Sequence, residues 1–190
     1  MKRSEINQIY QQARKCFESH GWALPPDPLW DITDFGFGYE KSAIALINLA
    51  VEAEYCEKII YCSLGKPIPM HAHLKKKEDI ICRWGIFGME LWSGDPSITQ
   101  KGVPFTVKKS GKWITYHSGD RMDLHAGERI TLPPGIYHSF WSTTPEVIIG
   151  EVSTANDDLN DNIFTDPEIG RFPEIIEDEP PLITLISDKK

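Results

Sequence analysis

Apolar residues follow two different periods along the chain. Over residues 4–20 they recur every three or four positions, which predicts an amphipathic helix with Ser4 as a candidate N-cap and Gly21 as a stop. The stretch 22–30 is rich in proline, which lacks a backbone N–H and cannot continue a helix. We therefore expect a helix followed by an extended arm, whose Trp22 and Trp30 pack against the rest of the protein.

From residue 42 onward, short apolar runs alternate with glycine and proline. The strands that this pattern predicts are 42–51, 56–64, 80–84, 86–92, 113–117, 121–124, 129–132, 136–141 and 146–153. Two pairs should be neighbours, one bent at Gly85 and one forming a hairpin around 143–145, while 93–112 predicts a polar loop or a further hairpin. Many short strands separated in this way are typical of an all-β sandwich or barrel.

Composition then limits the class of protein. With 190 residues, of which 41% are hydrophobic, the chain can form one domain: a helix and arm over 1–40, a barrel core over 41–153 and an acidic segment over 154–190. The net charge of −8 argues against nucleic acid or a membrane as a partner. Neither a membrane-spanning run nor the apolar part of a signal peptide is visible. We therefore expect a cytoplasmic protein with four reduced, buried cysteines.

The stretch 65–85 carries a distinctive set of polar side chains. His71 and His73 are one residue apart, so in a strand both face the same side of the sheet, and Glu78 follows five residues later. Imidazoles and a carboxylate at this spacing can bind one divalent metal ion. Asp79 is the rival carboxylate, but neighbours in a strand face opposite sides, so only one of the two can point inward.

A second stretch, 127–138, offers a third imidazole, His138, just after a Pro-Gly turn. Three imidazoles and one carboxylate suit Mn²⁺, Fe²⁺, Zn²⁺, Co²⁺ or Ni²⁺, and the sequence does not choose among them. The set leaves coordination positions open, as a catalytic site requires. We expect the remaining histidines, His20, His117 and His125, to be structural or exposed.

Other charged residues allow two readings each. The lysine run at 75–77 is typical of a solvated turn, yet one lysine beside a metal could bind a substrate hydroxyl or transfer a proton. Glu151 either faces inward as a second carboxylate or outward as an ordinary strand residue. From Glu151 to Glu179 there are ten acidic residues and one basic residue, Arg171. This segment is either a solvated loop or a cover that folds over the barrel mouth and holds a polyol.

The stretches 65–85 and 127–138 together resemble the paired motifs of the cupin superfamily. The residues that match the first motif are Gly65, His71, His73, Glu78 and Gly85. The residues that match the second motif are Gly127, Pro133, Gly135 and His138, although the asparagine that often follows is absent. The resemblance implies an all-β cupin fold, a double-stranded β-helix or jelly-roll barrel, with an N-terminal helix and an irregular C-terminal segment.

A closer resemblance is to the D-lyxose isomerase family. It is carried by the stretch 71–80 (HAHLKKKEDI), similar to that family's HxHxxKxED pattern, and by 150–158 (GEVSTANDD) with Asp161, Asn162 and Phe164 following. The family consists of Mn²⁺-dependent aldose–ketose isomerases, mostly homodimeric, that interconvert D-lyxose with D-xylulose and often D-mannose with D-fructose. One departure is the segment 82–85 (CRWG), which predicts a pocket of different shape.

The resemblance also implies roles for individual residues. The metal ligands would be His71, His73, Glu78 and His138. Glu151 is the first choice for the base that moves a proton between C2 and C1 of an open-chain sugar, and Lys76 for the group that protonates or orients an oxygen. We expect Lys76, Asp161 and Arg171 to contact the sugar.

Three alternatives remain open at this point. Fe²⁺ in the same ligand set would suit an oxygen-dependent enzyme, and a sugar-binding regulatory module would show no turnover. A phosphosugar isomerase would need a cluster of basic residues for the phosphate. The arginines considered for that role, Arg83, Arg121, Arg129 and Arg171, are scattered, and the C-terminal segment is acidic. A small neutral monosaccharide is therefore the favoured substrate.

Overall fold

The computed structural model describes residues 1–154, 157, 160–169 and 174–189. Within these residues there is one α-helix, α1 (Arg3–Ser19), and a 3₁₀ turn at Ser187–Lys189. The strands are β1 (Trp30–Thr33), β2 (Ile44–Val51), β3 (Tyr55–Ser63), β4 (Ile68–His73), β5 (Glu78–Trp84), β6 (Ile86–Trp92), β7 (Pro104–Lys109), β8 (Lys112–His117), β9 (Asp120–His125), β10 (Arg129–Leu132), β11 (Tyr137–Ser142), β12 (Glu146–Thr154) and β13 (Asn162–Phe164).

The strands form two antiparallel sheets packed face to face. One sheet has the order β1-β2-β3-β12-β5-β10-β7-β8 and the other the order β13-β4-β11-β6-β9. Apolar side chains from both sheets meet between them, including Ile60 and Ile149 from the larger sheet and Phe87 and Phe140 from the smaller. Burying one apolar face of each sheet in this way is the arrangement of a jelly-roll barrel, so the predicted all-β fold is confirmed.

Helix α1 covers the outer face of the larger sheet. Its buried residues Ile6 and Phe17 pack with Trp30, Ile47 and Ile148 in a second apolar cluster. Because α1 covers this face, the middle of the larger sheet is buried on both sides. The predicted helix is confirmed to within one residue at each end, and the arm that follows it leads into the edge strand β1.

Residues of the C-terminal segment bind the first turn of α1. Glu177 accepts hydrogen bonds of 2.8 and 2.6 Å from the buried guanidinium of Arg3, and Asp178 accepts bonds from both the backbone N–H and the hydroxyl of Ser4. The prediction of Ser4 as N-cap was wrong, since Lys2 has the capping position. Acidic groups at a helix N-terminus also stabilise its dipole, so this part of the segment is a structural cover.

Two predicted strand pairings were wrong. Strands β5 and β6 lie in different sheets, and so do β11 and β12. The chain crosses from one sheet to the other at Gly85, whose φ of 80° and close approach to the Glu146 carbonyl leave no room for a side chain. Hairpins and crossings use the same turn residues, so the local sequence does not distinguish them. Strand β7 lies inside the predicted polar loop and forms a hairpin with β8.

Two further predictions from composition can be compared with the described residues. All four cysteines are buried and free of disulfides. None of the helices in the described ranges has the length and apolar character that a membrane crossing requires.

Candidate metal centre

Three histidines from two neighbouring strands meet inside the barrel. His71 and His73 lie on β4 and His138 lies on β11, where it pairs directly with His71. All three side chains are buried, and each offers a ring nitrogen within 4.8 Å of the others. Since alternate strand residues share a face, the spacing of His71 and His73 points both rings into the same cavity.

Backbone carbonyls fix the orientation of two of the rings. His71 Nδ1 lies 2.8 Å from the Pro69 carbonyl, and His138 Nδ1 lies 3.2 Å from the Ile136 carbonyl. A carbonyl can only accept, so in each ring Nδ1 carries the proton and Nε2 is left as a lone-pair donor. This is the usual second-shell arrangement of metal-binding histidines.

Glu78, the first residue of β5, adds a carboxylate to this cluster. Its Oε1 lies 3.1 Å from His138 Nε2 and 3.5 Å from His73 Nε2. His73 Nε2 and Glu78 Oε1 are buried without a hydrogen-bond partner, which is costly unless something else occupies the space between them. Metal–ligand bonds of about 2.0–2.2 Å separate neighbouring donor atoms by about 3.0–3.6 Å. These residues therefore fit a divalent ion.

The protonation of the cluster also suits a metal. Burial lowers the pKa of His71 well below its usual value, and the nearby His138 and His73 add to this effect. Burial likewise lowers the pKa of His73 to about 4. Both rings are neutral at physiological pH, which is the form that binds a metal ion.

A chain of buried charges continues from Glu78 into the barrel. The ammonium of Lys76 lies 2.8 Å from Glu78 Oε2 and donates a 2.8 Å hydrogen bond to Glu151 Oε1. Lys58 Nζ, on β3, lies 3.6 Å from the same Glu151 oxygen. Glu151 thus faces inward, between two lysines. The alternative of an outward strand glutamate was wrong.

The lysines keep both carboxylates ionised in this apolar setting. Burial alone would raise the pKa of Glu78, but Lys76 and His138 outweigh it and hold the value well below the usual range. Burial also opposes ionisation of Glu151, and Lys58 and Lys76 outweigh it and lower its pKa. For Lys76, burial would lower the pKa, and the two carboxylates raise it instead. Glu78, Glu151 and Lys76 are therefore all charged at neutral pH.

Apolar side chains, together with Asn162, form the rest of the cavity wall. Phe35 and Phe164 lie at 6.0 Å between ring centroids, and Phe164 lies 5.5 Å from His71. The free space between these side chains is about 50 Å³, enough for an ion with bound water. A larger groove of about 750 Å³ between α1 and the arm contains none of the predicted site residues.

Asp161 and Arg171 were also predicted to contact the sugar. Asp161 is not among the residues that line the cavity, and its carboxylate accepts hydrogen bonds from the backbone N–H groups of Leu74, Lys75 and Lys76. A contact of Asp161 with the sugar stays a prediction. Arg171 lies outside the described residues. Asp79 points outward to Arg129, as the alternation along β5 predicts.

Lys58 is the residue of this network that sequence reasoning missed. Its neighbours on β3 are mostly apolar, and a buried lysine in such a strand needs a charged partner. A lysine within a mostly apolar strand was therefore the feature of the sequence that could have indicated a buried ion pair at Lys58.

The sequence and fold can now be compared with known proteins. A family model described as D-lyxose isomerase matches residues 28–189. The chain belongs to the D-lyxose isomerase family. It is a sugar isomerase by that membership, and the predicted family is confirmed.

Relatives match over nearly the whole chain. The D-lyxose/D-mannose isomerase of Serratia proteamaculans is 36% identical over 95% of this chain and 94% of its own length. The protein of the same name from Escherichia coli O157:H7 is 34% identical over 99% and 98%. Among solved structures, Cellulomonas parahominis L-ribose isomerase with L-ribose superposes with a TM-score of 0.70 at 16% identity, covering 93% of this chain and 98% of that one. This last likeness shows the shared fold.

Proposed function

We propose that this protein is a metal-dependent aldose–ketose isomerase that interconverts D-lyxose with D-xylulose and D-mannose with D-fructose. The observation that carries the proposal is the Lys76 ammonium held at 2.8 Å from both Glu78 and Glu151, beside three buried imidazoles. This arrangement supports a proposal in which a metal ion, an ionised base and a proton donor act at one cavity. The names of the relatives, D-lyxose/D-mannose isomerase, support the choice of sugars.

His71, His73, Glu78 and His138 would hold the ion. We propose Mn²⁺ because the family resemblance implies it, and the mixed nitrogen and oxygen donors are compatible with it. When bound, such an ion supplies a Lewis acid that favours negative charge on the sugar's carbonyl and hydroxyl oxygens. The His71 and His73 rings are neutral and can bind without first losing a proton. The His71 and His138 rings are already oriented by backbone carbonyls.

Glu151 is the proposed general base. Its carboxylate is buried and ionised, and it takes the proton from C2 of the open-chain aldose and returns the same proton to C1 of the enediol. Its neighbour Lys76 donates a proton to the oxygen that becomes a hydroxyl and regains one from the oxygen that becomes the carbonyl. Lys58 holds Glu151 ionised from the opposite side.

A neutral sugar fits this cavity better than a phosphorylated one. The two cations that line the cavity, Lys58 and Lys76, are both paired with carboxylates. A phosphate group needs basic side chains whose charge is still available. The family resemblance further supports a homodimer and a cytoplasmic location, and we include both in the proposal.

The first test is metal-dependent turnover. Purified protein is stripped with EDTA, Mn²⁺ is restored, and ketose formation is followed from D-lyxose, D-mannose and the 6-phosphates of glucose and mannose. We expect Mn²⁺-dependent turnover of the free sugars. Turnover of the phosphorylated sugars alone would mean a phosphosugar isomerase. No turnover of any sugar, together with oxygen uptake by the Fe²⁺-loaded protein, would replace the proposal by an oxygen-dependent enzyme.

The second test is Glu151→Gln, which keeps the shape of the side chain and removes its basicity. We expect loss of turnover with an unchanged amount of bound Mn²⁺, measured by atomic absorption. Substoichiometric metal in this variant would make Glu151 a ligand rather than the base.

A further inference from the structure

The loop 74–77 joins two strands of the metal cluster. It follows His73, the last residue of β4, and precedes Glu78, the first residue of β5. It also carries Lys76, whose ammonium lies between Glu78 and Glu151. The path of this short loop therefore decides where the lysine side chain starts.

Side chains at the end of β12 and beyond it accept hydrogen bonds from all four backbone N–H groups of this loop. Asp161 Oδ1 accepts from Leu74 and Lys75 at 3.0 and 2.9 Å, and Asp161 Oδ2 accepts from Lys76 at 2.9 Å. Thr154 Oγ1, at the end of β12, accepts from Lys77 at 3.1 Å. An oriented set of N–H groups of this kind forms a nest that stabilises an anion.

Asp161 is itself held in place from both sides. Its side chain is only 4% exposed, and its own N–H donates to the Asp157 carbonyl at 3.0 Å. The next residue, Asn162, begins β13 and pairs with His73 on β4. Asp161 is thus buried, with a hydrogen bond on its N-terminal side and a paired strand on its C-terminal side.

We propose that Asp161 is a positioning residue for Lys76. Its carboxylate fixes the backbone of the loop so that the flexible lysine side chain reaches Glu78 and Glu151 at the same time. The inference rests on the proposed function only in giving Lys76 a part in proton transfer.

The metal ligands have separate support. The carbonyl of His73 accepts a hydrogen bond from the Gly135 N–H at 2.8 Å, and Glu78 is held by the pairing of β5 with β10 and β12. A change at Asp161 should therefore displace Lys76 without removing the metal. A residue that contacts sugar directly would instead change KM.

The variants are Asp161→Asn and Asp161→Ala, with Asp166→Asn as the matched control. The asparagine keeps the size of the side chain but places an NH₂ group against one or more of the loop N–H groups. Asp166 lies in the same segment, outside the cavity wall, and within the described ranges its carboxylate accepts the Glu168 N–H at 2.9 Å. Circular dichroism and thermal unfolding check that each variant is folded.

The first readout is chemical modification, which does not depend on activity. Brief acetylation of the native protein, followed by mass spectrometry, compares Lys76 with its exposed neighbours Lys75 and Lys77. We expect Lys76 to be protected in the wild type and in Asp166→Asn. In both Asp161 variants its reactivity should rise at least about 10-fold, toward that of Lys75. Equal protection of Lys76 in the folded Asp161 variants overturns the inference.

The second readout is kinetics with bound metal. A misplacement of about 1 Å can cost about 100-fold in rate, so we expect kcat of Asp161→Asn to fall about 10- to 100-fold with KM within about 3-fold and Mn²⁺ content unchanged. Loss of Mn²⁺ would mean that Asp161 acts through the ligands, and a rise in KM at constant kcat would mean a direct sugar contact. Either result overturns the inference. An inactive wild type contradicts the proposed function instead, and leaves the acetylation result to decide the inference.

Discussion

Replacing Lys76 by methionine removes the charge that lies between two buried carboxylates. The lysine side chain is 4% exposed and lies 2.8 Å from both Glu78 and Glu151. Methionine is similar in size, so the main change is electrostatic. In metal-free protein, Glu78 then has lost its ammonium partner and keeps the imidazoles of His73 and His138 at 3.5 and 3.1 Å, while Glu151 keeps Lys58 at 3.6 Å.

The expected loss of stability follows from these contacts. Removing one partner of a buried ion pair costs about 3–5 kcal/mol, because a desolvated charge is left behind. The remaining Lys58 partly compensates Glu151, so we expect Lys76→Met to lose about 3–4 kcal/mol in free energy of unfolding. The matched control is Lys75→Met. The exposed Lys75 should change stability by no more than about 0.5 kcal/mol.

The assay is urea denaturation of EDTA-treated protein at pH 7.5 and pH 5, at one protein concentration. In the wild type the pKa of Glu151 is lowered in the folded state, so its contribution to stability is present above the unfolded value of about 4.3 and is lost as pH falls through the folded value. In the variant the Lys76 ammonium is missing, so burial raises the pKa of the Glu78 and Glu151 carboxyls. As pH falls, protonation then removes the uncompensated buried charge. The difference between the two proteins should therefore be smaller at pH 5.

Two results would refute this reasoning. A loss below about 1 kcal/mol at pH 7.5 would mean that the carboxylates are not held by Lys76. A difference that is the same at both pH values would mean that the effect is one of packing and not of charge.

Three further predictions concern the same fold. Lys58→Met should lower kcat while Mn²⁺ content is unchanged, as measured by steady-state kinetics and atomic absorption, because Lys58 contacts the base and not the ligands. Gly88→Ala should lower the free energy of unfolding, measured by urea denaturation, by about 1–3 kcal/mol, because the added methyl would lie 2.6 Å from the Trp141 ring. Gly150→Ala should lower it less, because the added methyl would meet the flexible Arg83 side chain. Removing metal with EDTA should lower Tm, and Mn²⁺ at about 100 times its Kd should restore about 2.7 kcal/mol, measured by calorimetry.

The part of the site that the sequence predicted is the part encoded by local spacing. His71 and His73 share a face because strand side chains alternate, and the same rule separates Glu78 from Asp79. The Pro-Gly turn places His138 near the start of β11, where the observed pairing with His71 completes the cluster. Short-range geometry was sufficient for these residues.

Lys58 and the inward direction of Glu151 needed the tertiary structure. Both lie on central strands of the larger sheet, which is covered by α1 on one face and by the barrel interior on the other. Where both faces are buried, the alternation of apolar and polar residues that reveals direction is lost. The sequence therefore did not decide whether Glu151 points inward or outward, and it did not indicate the face of the sheet on which Lys58 lies.

The acidic C-terminal segment shows a different limit, because similar residues in it have unrelated roles. Asp161 accepts N–H groups of a loop some 86 residues earlier in the chain, while Glu177 and Asp178 bind the first turn of α1, 174 residues away. The groups that these three carboxylates bind are therefore distant in sequence, and none of them is a lysine of the C-terminal segment. A carboxylate is satisfied equally well by oriented N–H groups or by a guanidinium, so charge alone does not identify its partner. Asp161 differs from the other two because the loop that it binds carries Lys76, which lies between Glu78 and Glu151. Under the proposed mechanism, in which Lys76 transfers protons, this contact connects Asp161 to catalysis.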